Sequence, residues 1–191
     1  MPRAGLTPDR IIAEAATVAD EVGLDRLTLA AVAHRCGVSL PGLYKHVAGV
    51  DEVRSGIAIA ALRDLTGITA TAAAGVSGRA ALQAISTAYR GYARQHPGRY
   101  AASVTAPAEG DQDYLNAAID AFTVLTATFR GYRLDGENLI HAVRMWRAAC
   151  HGIIALEAAG GFGLPESVDV TFAYLIDALD TAFRGLGSTK N

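Results

Sequence analysis

Lysine is almost missing from this chain: of its 17 basic residues only Lys45 and Lys190 are lysine, and the rest are arginine. Cysteine is equally scarce. There are two, Cys36 and Cys150, in helical contexts far apart, and so small a number argues against the disulfide framework of a small stapled fold. Neither sign of charge is in excess, and a net formal charge of −2 argues against indiscriminate attraction of the whole protein to nucleic acid or membrane. No apolar run approaches the ~18 residues of a membrane span. The opening MPRAGLTPDR lacks the apolar stretch of a secretory signal. A cytoplasmic protein without membrane contact is expected. Nowhere do β-branched residues alternate as a half-buried strand requires, and no segment repeats. The preference for arginine and alanine reads as GC-rich coding rather than function. What is present is a chain of 191 residues, 51% hydrophobic, able to bury a sizeable core.

Its periodicity is helical throughout. Thr7 followed by Pro8 reads as an N-cap and a first helical residue. Ile11, Ala15, Val18 and Val22 then mark one stripe, which Gly23 closes. Thr28 caps a second helix with Leu29, Val32 and Ala33 inward and Gly37 at its end. Ser39 caps a third, whose buried side is Leu40, Leu43 and Val47. A fourth begins near Val50 and runs through Val53, Ile57 and Ala61 to about Leu65 or Ile68. The weakly patterned TGITATAAAGVSG at 66–78 reads as a seam. Further helices are expected near 78–95, 98–105, 111–132, 136–160 and 166–186. The fold expected is all-α, with about nine helices. A three-helix domain occupies 1–49, and a linking helix opens a larger helical domain over 50–191.

The stretch CGVSLPGLYKHVAGVDEV, residues 36–53, carries the chemistry. Two helices of about seven to eight residues joined by CGVS fit a helix-turn-helix. Gly37 can take the left-handed conformation that ends a helix sharply. Val38 can pin the two helices together, and Ser39 offers its oxygen to the free N–H groups of the next helix. With Leu40, Leu43 and Val47 inward, the outward face holds Pro41, Gly42, Tyr44, Lys45 and His46. Gly42 carries no side chain, so this face can approach another surface closely. Such a helix fits the major groove of B-DNA, about 12 Å wide. Lys45 can reach a base edge or a phosphate there, and Tyr44 and His46 a phosphate oxygen. The same spacing also suits a small bundle whose polar helix is merely solvated.

The run AATVADEVGLDRLTL (15–29) and the pattern V-S-x-P-x-L-Y-x-H from Val38 to His46 resemble the DNA-binding domain of the TetR family of transcriptional regulators. The resemblance extends from Ile11 to about Leu62. It implies a helical homodimer with an N-terminal helix-turn-helix and a C-terminal domain that holds an effector and the dimer interface. It also implies that Thr28, Pro41, Gly42, Tyr44, Lys45 and His46 match DNA-contacting positions; Ser39, which opens their helix, joins the candidate set. ARQHPGRYAAS (93–103), and Trp146 with His151 and Gly152, resemble the WHG-type C-terminal domain of some members. One position departs. Where many members have F-x-x-K-x-x-L after the recognition helix, this chain has VAGVDEV, with Val50 in place of the lysine. Residues 1–63 hold seven Lys/Arg and seven Asp/Glu, so affinity rests on few ion pairs, neutral donors and helix N-termini; either binding is modest, or Arg3 and Arg10 add contacts from the N-terminal arm.

The remaining constellations point to no catalysis. His141 and His151 lie about 280° apart around an ideal helix and do not share a face as paired ligands would. Cys150 and His151 point in different directions, and Cys36 reads as a small buried thiol. GGFG at 160–163 follows no strand and reads as a helix end. No Ser/His/Asp set or carboxylate pair has convincing spacing, so no metal, cofactor or enzyme activity is expected. A protein-binding helix-turn-helix that has lost DNA binding is the alternative, with an enzyme a more distant one. In the C-terminal half, Tyr92, Phe122, Phe129, Trp146 and His151, with Arg144, are the candidate lining of a pocket for a small apolar or aromatic effector. The small residues Ala148, Gly152, Ala155 and Ala159 recur on one helix. Phe172, Leu175, Ile176, Leu179 and Phe183 recur on the last. Two such helices from each subunit would form a four-helix dimer interface. A twofold dimer calls for a palindromic operator in double-stranded DNA.

Overall fold

The structure, a computed structural model, describes residues 6–188, and among these every regular element is helical. Arg3 lies outside the described residues. The helices are α1 (Pro8–Val22), α2 (Leu29–Cys36), α3 (Leu40–Leu43), α4 (Val50–Ala73), α5 (Gly78–Gln95), α6 (Pro97–Ser103), α7 (Gln112–Thr128), α8 (Gly136–Ala158) and α9 (Val168–Ser188). Single 3-10 turns stand at Leu24–Arg26 and Phe129–Tyr132. The chain parts into two compact units, residues 1–64 with 95–119 and residues 65–94 with 120–191.

The first unit is built by locally capped helices around one apolar cluster. The Thr7 hydroxyl accepts from Arg10 N (3.3 Å), with Pro8 opening α1 as the sequence leads one to expect. Ile11, Ala15, Val32, Leu43, Val53 and Ile57 are fully covered in its core. Helix α6 lies directly on α1. Gly98 comes so close that a Cβ there would stand 2.1 Å from the carbonyl carbon of Ala19. Asp20 fastens the contact, accepting from Arg99 N (2.9 Å) and pairing with Arg99 Nε (3.1 Å), with His96 Nδ1 at 3.4 Å. Arg35 ties α2 to α1 through Glu14 (2.9 Å) and Glu21 (2.8 Å).

The second unit packs around Trp146, which is wholly buried on α8 and donates through Nε1 to Ser86 Oγ (2.8 Å). Phe129 stands edge-on to Trp146 and to Phe183, with ring centres at 6.4 and 5.3 Å. Tyr132 donates to Asp180 at 2.7 Å. On α5, Arg90 meets the Glu157 carboxylate with two nitrogens, lies 2.8 Å from Asp169 and stacks over Phe172. Arg94 reaches the same Glu157 oxygen at 2.6 Å. One group of five side chains thus fastens α5 to the end of α8 and the start of α9.

Two expectations need correction. The seam expected at 66–78 is largely helix, because α4 continues unbroken to Ala73. Its small residues carry no apolar stripe, yet alanine favours helix strongly, and the Thr69 and Thr71 hydroxyls fold back onto Leu65 O (2.6 Å) and Gly67 O (2.8 Å). The recognition helix is also shorter than seven residues. Regular α-structure covers Leu40–Leu43, and Tyr44–His46 form a turn.

Candidate nucleic-acid interface

The helix-turn-helix assembles from capping chemistry that the sequence displays. Thr28 accepts from Ala31 N (3.2 Å) at the start of α2. At its end Gly37 takes φ +70° and ψ 31°, the left-handed region that a residue with a Cβ enters at a cost. An added Cβ there would meet nothing within 4 Å, so backbone conformation alone demands the glycine. Val38 is half-buried against the core, and Ser39 Oγ accepts from Gly42 N (3.3 Å) to start α3. Leu43 and Val47 anchor the segment inward, 0% and 4% exposed.

Leu40 does not join them. It is 37% exposed, beside the open face. A helical side chain covers the surface N-terminal to its own Cα, and at the first helical position there is no earlier turn to cover. The periodicity that placed Leu40 inward also fails because the helix relaxes into a turn after Leu43. The outward face therefore carries Leu40 together with Thr28, Ser39, Pro41, Tyr44, Lys45 and His46, all exposed, and Gly42 half-exposed among them. Tyr44 is 54% exposed, an unusual position for an aromatic ring with no partner to cover it.

Charge on this face is sparse. Between Thr28 and Val47 the full cations are Arg35, committed to Glu14 and Glu21, and Lys45, which carries no ion pair among the described residues. Behind the face, Val50 is half-buried and packed against the core of the first unit. The first turn of α4 is acidic. Glu52 accepts from Ala48 N, and Asp51 pairs loosely with Arg54 at 3.6 Å. The two carboxylates at the start of α4 disfavour a phosphate there, and Glu52 ties back to the loop residue just ahead of the helix. Sequence reasoning missed this internal cap; a glutamate in the first turn was its available signal.

The candidate effector residues differ in how far they are covered. Trp146 and Phe129 pack together in the core and Tyr92 is buried, whereas Phe122 is 39% exposed, Arg144 exposed and His151 half-buried. The candidate dimer residues fall on two kinds of face. On α8, Ala148, Ala155 and Ala159 are exposed and Gly152 half-exposed. On α9, Phe172, Ile176, Leu179 and Phe183 are covered within the single chain and Leu175 is half-buried. That apolar stripe completes the protomer's own core, and its area is already used there. The outward face of α9 instead carries Val170 and Tyr174, 51% and 70% exposed. Cys36 and Cys150 are free and buried, and among the described residues no cluster suited to a metal ion occurs. No helix of the described residues is long and apolar enough to cross a membrane.

Comparison with known proteins agrees with this geometry. The family described as "Bacterial regulatory proteins, tetR family" matches residues 11–47, and "Tetracyclin repressor-like, C-terminal domain" matches residues 82–179. The chain is 34% identical over 158 residues to the uncharacterized HTH-type transcriptional regulator Rv0681 of Mycobacterium tuberculosis, spanning 82% of this chain and 72% of that one. It is 28% identical over 175 residues to the uncharacterized HTH-type transcriptional regulator YobS of Bacillus subtilis, spanning 92% and 91%. Among solved structures, apo ActR from Streptomyces coelicolor matches with a TM-score of 0.75 at 15% identity, over 98% of this chain and 99% of that one. A TetR variant from Acinetobacter baumannii AYE in complex with minocycline matches with a TM-score of 0.71 at 24% identity, over 97% and 100%.

Proposed function

This chain belongs to the TetR family of bacterial transcriptional regulators, and we propose that within it the protein is a repressor that grips a palindromic operator as a homodimer and releases it when a small molecule binds. The observation that carries the reading is the exposed Tyr44–Lys45–His46 turn, set on a capped helix-turn-helix whose anchors Leu43 and Val47 are buried. Residues 1–49 read DNA, and residues 50–191 hold effector and partner. Lys45 is the base or phosphate cation, and Tyr44 and His46 donate to phosphates. Thr28, Ser39, Pro41 and Gly42 let backbone and small groups approach closely.

A dimer is supported by the apolar and small residues that unit two leaves uncovered. Ala148, Gly152, Ala155 and Ala159 on α8 permit close helix approach, with Met145, Leu156, Val170 and Tyr174 exposed on the same two helices. Twofold symmetry then places two recognition segments about 34–36 Å apart, or a multiple of that. Selection from random duplex DNA tests this directly. An inverted repeat with such spacing is expected, and enrichment of no symmetric motif would refute the operator-binding reading.

The second reading, a head that no longer binds DNA, is favoured by one observation. Val50 stands where a lysine is common, and Asp51 and Glu52 crowd the adjoining helix start. Under that reading the same selection yields nothing above background.

The effector is a small apolar or aromatic molecule accommodated among the aromatic side chains of the second unit. A solved neighbour holds minocycline. Tyr92, Phe122, Phe129 and Trp146 supply the apolar contacts, and His151 or Arg144 a polar one. A ligand favouring the released state shifts the balance only by its differential affinity, typically about 1–3 kcal/mol, or 5- to 150-fold in operator binding. Trp146 emission tests the location. Releasing ligands that leave it unchanged, and that still act on Phe122→Ala, place the pocket elsewhere.

A further inference from the structure

In the first unit α4 crosses α1 in direct contact. A Cβ on Gly56 would stand 2.4 Å from Ile12 Cδ1, so the two helices touch there with nothing between them. On either side of the crossing a cleft opens, one of about 720 Å³ and one of about 410 Å³. Ile12, Gly56, Ile59 and Asp113 line both, so the two clefts meet at one point. The larger is the size of a small-molecule site. It lies wholly within the first unit and is separate from the aromatic set around Trp146.

Its chemistry is uneven. Leu24, Val47, Ile59, Ala102 and Ala106 give it an apolar wall. Its charged groups are four carboxylates, Asp51, Glu52, Asp111 and Asp113, against one guanidinium, Arg54, and the smaller cleft adds Asp9 and Asp64 against Arg63 and Arg99, so carboxylates are in excess across both. Three of the four already have partners: Glu52 takes Ala48 N, Asp111 takes Ser55 Oγ and Tyr114 N, and Asp51 pairs with Arg54. Asp113 has no hydrogen bond or ion pair among the described residues, and it borders both clefts. Arg54 Nε is buried and lacks an acceptor. Asp113 is exposed and open to a cation, and the buried Arg54 Nε is open to an acceptor, so a complementary occupant has an apolar body, one positive charge and one acceptor oxygen.

We propose that the paired cleft at the α1–α4 crossing is a binding site for a small organic cation with an apolar body, its ammonium group beside Asp113 and its apolar part against Ile12 and Ile59. Val47 and the first turn of α4 form part of the wall, so the occupant touches the segment immediately following the exposed turn. The site stands independently of the effector pocket proposed above, and either can fail alone.

The test uses three probes with one apolar body and different charge: 4-phenoxybutylamine, 4-phenoxybutanol and 4-phenoxybutyrate. They are titrated calorimetrically into the full chain, and amide hydrogen exchange is followed with and without each. The amine should bind once per chain, about fivefold tighter than the alcohol, as expected for a partly solvated ion pair, and the acid should bind most weakly. Protection should rise in 8–24 and 50–60. Asp113→Asn, an exposed change that leaves the core intact, should remove the amine's advantage over the alcohol, and Asp113→Glu should restore it. Equal binding of the three probes, an undiminished amine advantage in Asp113→Asn, or protection confined to 136–158 would each overturn the proposal.

Discussion

Replacing Gly98 with alanine should weaken the first unit by several kcal/mol, whereas the same replacement at Gly91 should strengthen the second. Both glycines lie in helices, and neither has the positive φ that only glycine tolerates well. They differ in what a methyl group would meet. At Gly98 it would stand 2.1 Å from Ala19 C and 2.2 Å from Ala19 O, whereas contact becomes comfortable only near 3.4 Å. Backbone on both sides has to move apart by roughly 1 Å, because no flexible side chain is there to give way. Overpacking of this kind costs about 1–3 kcal/mol. The same shift strains the bond from Arg99 N to the Asp20 carboxylate, and a lost hydrogen bond to a charged group adds about 1.5–3 kcal/mol. The combined loss should be about 3–5 kcal/mol. At Gly91 the methyl meets nothing within 4 Å, so only helix propensity acts, a gain of about 0.5–1 kcal/mol. Urea titrations followed by circular dichroism measure both variants against the parent, with exchange at α1 amides locating the Gly98 effect. The reasoning fails if Gly98→Ala costs less than about 1 kcal/mol, a routine value for any substitution, or if the two variants shift stability the same way.

Lys45→Ala should lower operator affinity and reduce the slope of log K against log salt by about 0.9, the share of one phosphate contact; an unchanged slope in fluorescence anisotropy would remove Lys45 from the interface. Glu157 offers a pH test, because hydrogen bonds from Arg90 first and then Arg94 outweigh burial and bring its carboxyl down to about 2 from an ordinary 4.5. Its folded-state value is depressed, so its contribution is complete above 4.5 and disappears as pH falls toward about 2. Glu157→Gln should be less stable at neutral pH and should lack that part of the acid-induced loss in denaturation midpoints taken across the window. Burial pushes the Cys150 thiol up to about 12, so iodoacetamide at pH 8 should label Cys150 only in denaturant, as peptide mass mapping would report.

Much of the reading head was legible because its determinants are local. Thr7, Thr28 and Ser39 each bond an N–H three residues on, a relation visible in sequence without knowledge of any distant partner. Gly37 and the GGFG helix end belong to the same class. What escaped notice depended on distant partners or on the end of a periodicity. Leu40 has the spacing of a core residue but stands where the helix has no preceding turn. The α9 stripe Phe172, Ile176, Leu179 and Phe183 looked equally suited to a partner subunit or to its own chain, and only the positions of Phe129 and Tyr132 decide for the chain. Packing of 95–119 with the first 64 residues leaves no local mark at all, since Gly98 and Asp20 are distant in sequence.

Helix α4 can also be viewed as a lever. It is one unbroken rod from Val50 to Ala73, and in the first unit it touches α1 closely at Gly56 against Ile12. At 1.5 Å per residue the arm from Gly56 to Val50 is roughly 9 Å and the arm to Ala73 roughly 26 Å. A rigid rod pivoting there divides displacement by about three between its far and near ends. Moving Val50 by 1 Å, enough to disturb the fit of a recognition segment, calls for about 3 Å at the other end. The same ratio multiplies force in the opposite sense. A weak push on such a rod near Ala73 would act at Val50 as a strong one over a short stroke.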